Sequence, residues 1–82
     1  MYKVILSDRA VRDLESLPQN YQRLVLNRLT AFTGDPRPRG SKKLHGQTYR
    51  VRQGPYRVLY EVHDQAKEIM VLTIKPRREA YR

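Results

Sequence analysis

The apolar residues in the first part of the chain follow a helical spacing after a short strand-like run. Residues 2–6 are rich in β-forming side chains, and Ser7 follows as a suitable N-cap, with the Asp8 carboxylate favourably placed in the first helical turn. Pro18 ends this helix. The pattern therefore predicts a strand that leads directly into a first helix. The predicted apolar stripe of that helix consists of Ala10, Val11, Leu14 and Leu17.

A second helix is predicted from about Gln19 to Thr33, with Gly34 as the C′ residue that ends it. The two helices are expected to be antiparallel. The stretch from Gly34 to Lys43 is predicted to be a loop, because its prolines and glycines oppose both helix formation and strand pairing. The predicted apolar face of the second helix consists of Tyr21, Leu24, Val25, Leu29 and Phe32.

Beyond the loop the apolar residues recur at every second position, which is the period of a half-buried strand. Residues 49–52 and 56–62 both alternate in this way, and residues 63–67 read as a polar turn. The run from Glu68 to Lys75 is apolar on both sides and predicts a central strand. The element order is then β-α-α-β-β-β, a single α+β domain over residues 1–82 in which two helices pack on one face of a mainly antiparallel four-stranded sheet.

The dipeptide Gly54-Pro55 predicts how the two alternating strands pair. Glycine supplies the positive φ of a type II′ turn and proline suits the second position, so Gln53 should face Tyr56 and Arg52 should face Arg57. In this register one face of the hairpin is apolar. The other face, turned away from the helices, carries Arg50, Arg52 and Arg57.

The charge of the chain adds a partner class to this fold. Its 82 residues contain 17 Lys and Arg against 8 Asp and Glu, a formal net charge of +9, which is typical of chains that bind polyanions. The excess is concentrated between residues 36 and 60, where no acidic residue occurs. There are no cysteines, so disulfides and thiolate metal ligands are excluded. The short apolar stretches predict a soluble, cytoplasmic protein without a membrane partner.

Clustered arginines are suited to phosphate, because a guanidinium binds phosphate oxygens with two parallel hydrogen bonds. Taken singly, Arg50, Arg52 and Arg57 are equally well explained as solvated residues of an exposed sheet face. Together, without a neighbouring carboxylate in the sequence, they favour phosphate binding over structural ion pairs. Such a cluster can stabilise the extra charge of a phosphorane-like transition state, and a nearby tyrosine can stack a base or handle a proton.

The chain resembles the RelE family of toxin endoribonucleases from bacterial and archaeal toxin-antitoxin pairs. The resemblance covers nearly the whole chain and rests on Leu44–Gly46, Tyr49–Arg52, Gly54–Val62 and Arg77–Arg82. It implies the RelE-like, microbial-RNase-like fold. It also implies metal-independent cleavage of messenger RNA at the decoding site of the small ribosomal subunit. In that reaction a 2′-hydroxyl attacks the adjacent phosphate and leaves a cyclic phosphate and a 5′-hydroxyl.

The resemblance also implies roles for individual residues. Arg57 and Arg77 match the phosphate-contacting arginines of the family, Arg52 matches a basic residue of the sheet face, and Tyr81 matches the C-terminal tyrosine. These four are the predicted catalytic residues. No cofactor and no metal site are expected. The predicted RNA-binding residues are Lys42, Lys43, His45, Arg50 and Arg78.

One departure from the family concerns proton transfer. Many relatives have glycine-histidine where this chain has Lys75-Pro76, so an imidazole that could act as acid or base is missing. Arginine is a very poor general base because its pKa lies above about 12. The base must then be Tyr81, Glu79 or a group around the substrate, or the enzyme is slow.

Two alternatives to a ribonuclease stay open at this level. One is a toxin that resembles the ParE group and acts on DNA gyrase through the same face. The other is an RNA-binding module without chemistry. Either toxin reading implies an acidic cognate antitoxin, partly disordered when free, that wraps the basic face.

Overall fold

Strands and helices follow each other in the predicted order, with one strand added. The computed structural model describes residues 1–78. Its elements are β1 (Lys3–Leu6), α1 (Asp8–Glu15), α2 (Gln19–Ala31), β2 (Lys42–His45), β3 (Thr48–Gln53), β4 (Tyr56–His63) and β5 (Glu68–Pro76). The strands form one sheet in the order β1-β5-β4-β3-β2, in which only the β1–β5 pair is parallel within residues 1–78. The predicted α+β class is confirmed, with both helices on one face of the sheet and β5 in its interior.

The added strand is β2, which corrects the prediction of a loop up to Lys43 and of a four-stranded sheet. Lys42 pairs with Arg50 and Lys43 pairs with Tyr49, in antiparallel register. All four residues of β2 are exposed. An edge strand that buries no side chain shows no apolar alternation, so its sequence gives no strand signal; β2 forms because β3 offers an unpaired edge.

Helix α1 begins as predicted. The Ser7 hydroxyl accepts a hydrogen bond from the Ala10 N–H at 3.0 Å and donates one to the Leu72 carbonyl at 2.8 Å, which fixes the helix start against β5. Ala10 and Leu17 are buried, but Val11 is 40% exposed and its assignment to the apolar stripe was wrong. Val11 lies about 100° around the helix from Ala10, at the margin of the stripe.

Helix α2 ends earlier than predicted, at Ala31, and Gly34 is not its C′ residue, because Phe32 is the C-cap and Gly34 does not adopt a positive φ. Val25 and Phe32 are fully buried, whereas Leu24 is 41% exposed and does not belong to the apolar face. Neither helix is long and apolar enough to span a membrane, and no other helix occurs in residues 1–78.

The β3–β4 hairpin has the predicted register. Gln53 pairs with Tyr56, Arg52 pairs with Arg57, and Gly54 has the positive φ of 59° that the turn requires. The helix-facing side of this hairpin joins the single core. The buried apolar residues of that core are Ala10, Leu17, Val25, Leu29, Phe32, Val51, Val58, Tyr60, Val62, Ile69, Val71 and Ile74.

A bulge in β5 decides which of its side chains reach the core. Tyr60 pairs with Val71 while Leu59 pairs with Thr73, so Leu72 is the extra residue on β5. The bulge shifts the alternation by one position, because successive strand residues point to opposite faces. As a result Ile74 is buried and Lys75 lies opposite Arg57, on the face away from the helices.

Candidate nucleic-acid interface

Two rows of side chains bring the basic residues of the open sheet face together. Arg52, Arg57 and Lys75 lie directly opposite one another on β3, β4 and β5. Lys42 lies opposite Arg50 on β2 and β3. Directly opposed residues share a face with their Cβ atoms about 5 Å apart. We call these five residues the cationic face.

Arg57 is buried, with 5% of its surface exposed, and is the one buried charged residue in the stretch 1–78. The alternative that it is an ordinary solvated surface arginine is therefore wrong. Burial holds this guanidinium in the middle of a cationic row and limits its access to water. Its position in the sheet fixes it where an anion on this face would lie.

Residues after β5 lie beside the hairpin turn. The Arg77 N–H donates to the Pro55 carbonyl at 2.8 Å, which places Arg77 at the end of the sheet that carries Arg52 and Arg57. Arg77 and Arg78 are both exposed. The predicted roles of Tyr81, as a catalytic residue, and Glu79, as a possible base, concern positions outside the described residues.

A second basic feature lies where β2 begins. Lys42 pairs with Arg50, and β3 continues beyond that pair to Gln53 without a β2 partner. The chain before β2 and helix α2 border this open edge and form a cleft of about 340 Å³, which we call the basic cleft. Its lining residues are Arg28, Arg39, Gly40, Lys42, Arg50, Val51 and Arg52.

Arg28 and Arg39 were absent from the predicted site. Arg28 lies on α2, in a helix that otherwise serves the core, and its Nε donates to the Gln53 Oε1 at 2.9 Å. Arg39 lies in the segment between α2 and β2. No local pattern links these positions to the sheet. Only the return of that segment to the edge of β3 brings them beside Arg50 and Arg52.

Two of the predicted RNA-binding residues lie apart from the cationic face. Lys43 is opposite Tyr49, on the helix side of the sheet, and lines a different cavity of about 580 Å³ with His63 and Asp64. His45 is exposed at the far end of β2, where it pairs with Thr48. Lys42 and Arg50, in contrast, lie where the hairpin register predicts them.

Arg37, although part of the basic stretch of the sequence, holds structure together. Its Nη2 lies 2.6 Å from the Asp64 Oδ2, its Nε donates to the Tyr49 hydroxyl at 3.0 Å, and its guanidinium lies 5.2 Å from the centre of the Tyr49 ring. The Tyr2 hydroxyl donates to the same carboxylate at 2.5 Å. Nearby, the buried Tyr60 donates its hydroxyl proton to the Pro36 carbonyl at 2.9 Å. These contacts fix the segment that carries Arg39.

The same contacts shift the pKa values of Asp64 and Tyr2. The hydrogen bond from Arg37, followed by that from Tyr2, lowers the pKa of the Asp64 carboxyl below its ordinary value. The hydrogen bond to Asp64 raises the pKa of the Tyr2 phenol. Asp64 therefore stays ionised at neutral pH and keeps Arg37 in place.

Comparison with known proteins places the chain in a family. Residues 4–81 match the model described as the ParE toxin of the type II toxin-antitoxin system parDE. The archaeal RelE-RelB complex from Pyrococcus horikoshii OT3 contains a chain that is 34% identical, with a TM-score of 0.82 over 93% of this chain and 94% of that one. The chain belongs to the RelE/ParE superfamily of type II toxins.

Other solved structures resemble this toxin in fold. The RelBE2 toxin-antitoxin complex of Mycobacterium tuberculosis contains a chain of 28% identity and TM-score 0.81, with coverage of 92% and 96%. The isolated RelE toxin of E. coli has a TM-score of 0.81, with coverage of 99% and 96%, but only 19% identity, so it shows the shared fold alone. Comparison with curated protein sequences gives no significant match.

Proposed function

We propose that this toxin is an endoribonuclease that cuts messenger RNA, at the ribosomal decoding site, and thereby inhibits translation. The 2′-oxygen of one nucleotide attacks the adjacent phosphorus and the bond to the 5′-oxygen breaks, which leaves a cyclic phosphate and a 5′-hydroxyl. One proton leaves the 2′-hydroxyl and one is delivered to the 5′-oxygen. The likeness to RelE structures, including one of 34% identity, supports this choice within the superfamily.

The observation that carries the proposal is the row formed by Arg52, the buried Arg57 and Lys75. Fixed positive groups stabilise the charge that builds up on phosphate oxygens in the transition state, and they do so most effectively when burial limits solvent screening. Arg57 is the residue of this row with the least access to water. We assign stabilisation of the scissile phosphate to Arg57 and Arg77. To Arg52 we assign the lowering of the pKa of a neighbouring proton donor or acceptor.

The remaining predicted residues complete the substrate path. Tyr81 would orient or deprotonate the 2′-hydroxyl. Lys42 and Arg50, in the second row of the cationic face, would hold the RNA backbone beside the reacting phosphate. Around this surface Lys43, His45 and Arg78 would add weaker, more distant contacts, since all three are exposed.

Proton transfer needs a group other than arginine, and Lys75 is the lysine of the cationic face that lies directly opposite Arg57. An ammonium can donate a proton and the resulting amine can take one back, whereas a guanidinium stays charged. The bulge at Leu72 places Lys75 opposite Arg57. Lys75 directly precedes Pro76, the position at which relatives often have histidine. We assign to Lys75 the delivery of a proton to the 5′-oxygen.

An acidic antitoxin is the proposed protein partner. The related structures from Pyrococcus horikoshii and Mycobacterium tuberculosis are complexes of toxin and antitoxin. With a net charge of +9, this toxin would attract an acidic chain strongly, and that chain would cover the cationic face and block RNA.

A second candidate function has one observation in its favour, the match to the ParE family model over residues 4–81. In that case the cationic face would bind DNA gyrase and carry no chemistry. The two functions differ in their cellular products. A ribonuclease leaves cut transcripts with cyclic-phosphate ends, whereas a gyrase-directed toxin leaves transcripts intact and produces DNA breaks.

Mapping of transcript ends in cells that express the toxin tests the proposal directly. The variant Arg77→Ala should abolish growth arrest and transcript cleavage, and because Arg77 is exposed it should leave the fold intact. Arg57→Lys should lower cleavage strongly as well, since lysine keeps the charge but loses the two-pronged contact with phosphate.

The matched control is Arg23→Ala on the exposed side of α2, which removes the same charge far along the chain from the proposed site. It should arrest growth like the unchanged toxin. Thermal unfolding of each purified variant separates loss of activity from loss of fold. Full toxicity of both Arg77→Ala and Arg57→Lys would refute the ribonuclease assignment.

A further inference from the structure

We propose that the basic cleft is a second phosphate-binding site, which takes the backbone of single-stranded RNA next to the nucleotide that is cut. This inference rests on the proposed ribonuclease function and adds Arg28 and Arg39 to its substrate path. The cleft is not explained by the cleavage chemistry, because neither of these arginines belongs to the cationic face.

The cations of the cleft have no acidic ion-pair partner among the described residues. Five of its seven lining residues are cationic and none is acidic. Within residues 1–78 the ion pairs are those of Arg9 with Asp13, Arg37 with Asp64 and His63 with Glu61, so no cation of the cleft belongs to one. Cations gathered in a concave site repel one another and are satisfied by a bound polyanion.

The cleft and the cationic face share residues, which makes one continuous path. Arg50, Arg52 and Lys42 belong to both. Arg50 and Arg52 are about 7 Å apart along β3, since a strand rises about 3.3 Å per residue, so they can hold neighbouring phosphates of one strand. A strand bound at Arg57 therefore passes Arg52 and enters the cleft between α2 and β2.

The side chain of Arg28 and the backbone segment that carries Arg39 are held in place before any ligand binds. Arg28 is fixed by its hydrogen bond to Gln53, and Arg39 lies two residues after Arg37, which is anchored to Asp64 and Tyr49. A site that is partly ordered in advance loses less entropy on binding. This arrangement favours a defined ligand over loose attraction of counterions.

Nucleic acid fits the cleft better than the acidic antitoxin does. A peptide that folds on binding needs apolar anchors, and Val51 is the one apolar side chain that lines the cleft. The exposed large apolar residues of the described chain lie elsewhere: Met1, Val11, Leu24, Leu26 and Leu44. The cleft offers a phosphate backbone four guanidinium groups and one ammonium group instead.

The test measures binding of a labelled single-stranded 2′-O-methyl RNA, which lacks the attacking hydroxyl and cannot be cut, across a range of salt concentrations. In the double variant Arg28→Gln/Arg39→Gln the slope of log affinity against log salt should fall by about 1.4, and the affinity by about tenfold, because each lost phosphate contact on a single strand releases about 0.7 fewer counterions. The charge-conserving double variant Arg28→Lys/Arg39→Lys should keep most of both.

The matched control Arg12→Gln/Arg23→Gln removes the same charge from exposed positions on α1 and α2 that do not line the cleft. Equal losses in the control and in Arg28→Gln/Arg39→Gln would mean bulk attraction only and would overturn the inference. So would displacement of the RNA by oligoglutamate of equal charge that depends on Arg28 and Arg39, since the cleft would then belong to an acidic peptide.

Parallel mapping of transcript ends keeps the two proposals separate. Transcripts cut in an Arg57-dependent way, with unchanged oligonucleotide binding by Arg28→Gln/Arg39→Gln, would leave the ribonuclease function standing and overturn the cleft. Uncut transcripts, with oligonucleotide binding lost only in that double variant, would support the cleft as an RNA site and refute the ribonuclease function.

Discussion

Neutralising Arg52 should stabilise the folded toxin while it weakens the proposed activity. Arg52 lies directly opposite Arg57 and two positions from Arg50 on the same strand. Lys75 lies in the same row as Arg52, two strands away. Like charges opposite each other on a sheet are destabilising. Arg52→Gln removes the charge and keeps most of the side-chain stem, so the change is mainly electrostatic.

The spacing in the sheet sets the size of the effect. Paired residues have Cβ atoms about 5 Å apart, and two unit charges at that separation in water repel by about 0.8 kcal/mol. The pairs of Arg52 with Arg50 and Lys75 are more distant and add smaller amounts. At about 0.1 M salt the Debye length is about 10 Å, which screens part of this. We expect the free energy of unfolding to rise by about 0.5–1 kcal/mol, equivalent to about 2–8 °C in Tm for a domain of this size.

Denaturant unfolding of the purified toxin at low salt and at about 1 M salt measures the effect, because the Debye length at 1 M is only about 3 Å and the gain should nearly vanish there. Arg23→Gln is the control, since the positions one turn before and after it on α2 carry no charge. It should change stability little at either salt. A loss of stability in Arg52→Gln, or a gain that is the same at both salts, would refute the picture of a self-repelling face.

Three further predictions concern proton transfer, loop anchoring and acid stability. Lys75→Met should abolish cleavage, and Lys75→Arg should keep RNA binding but not cleavage, because a guanidinium does not release its proton; full cleavage by both variants would exclude Lys75 from proton transfer. Tyr60→Phe should lower the free energy of unfolding by about 1–2 kcal/mol in denaturant melts, because the buried Pro36 carbonyl loses its donor, and a neutral result would mean that water replaces it. Asp64→Asn should destabilise at neutral pH only. The folded pKa of Asp64 is lowered, so its contribution to the free energy of unfolding is present above the ordinary carboxyl pKa near 3.9 and is lost as the pH falls through the folded value. Urea midpoints of variant and parent that differ equally at neutral pH and at a pH below the folded value would contradict this.

The hairpin is the part of the site that the sequence predicts in residue detail. Apolar alternation and the turn chemistry of Gly54-Pro55 both require Arg52 opposite Arg57, and the structure has this pairing. Two independent local signals that agree leave a single register, because a shift by one residue would bury arginines. The positions of Arg50, Arg52 and Arg57 on one face therefore follow from the sequence alone.

Contacts that depend on distant segments do not follow in the same way. The bulge at Leu72 moves Lys75 to the cationic face, and nothing in the apolar run of β5 marks where the extra residue lies. Arg28 and Arg39 enter the basic cleft only through the path of the chain between α2 and β2. The burial of Arg57 likewise follows from what surrounds β4 in three dimensions, which residue alternation does not reveal.

The division of the sheet into two faces explains how so small a chain carries so unfavourable a surface. Within residues 1–78 the buried apolar residues lie on the helices, at the helix ends or on the helix-facing side of the sheet, so this core does not depend on the cationic face. A domain of this size is marginally stable, and we expect repulsion between Arg52 and its cationic neighbours to remove part of that margin. An anion that binds this face in the folded state, and does not bind the unfolded chain, raises the free energy of unfolding by mass action. Under the proposed function, RNA and an acidic antitoxin would both stabilise the same native state, and competition between them for one surface would be sufficient to switch the toxin off.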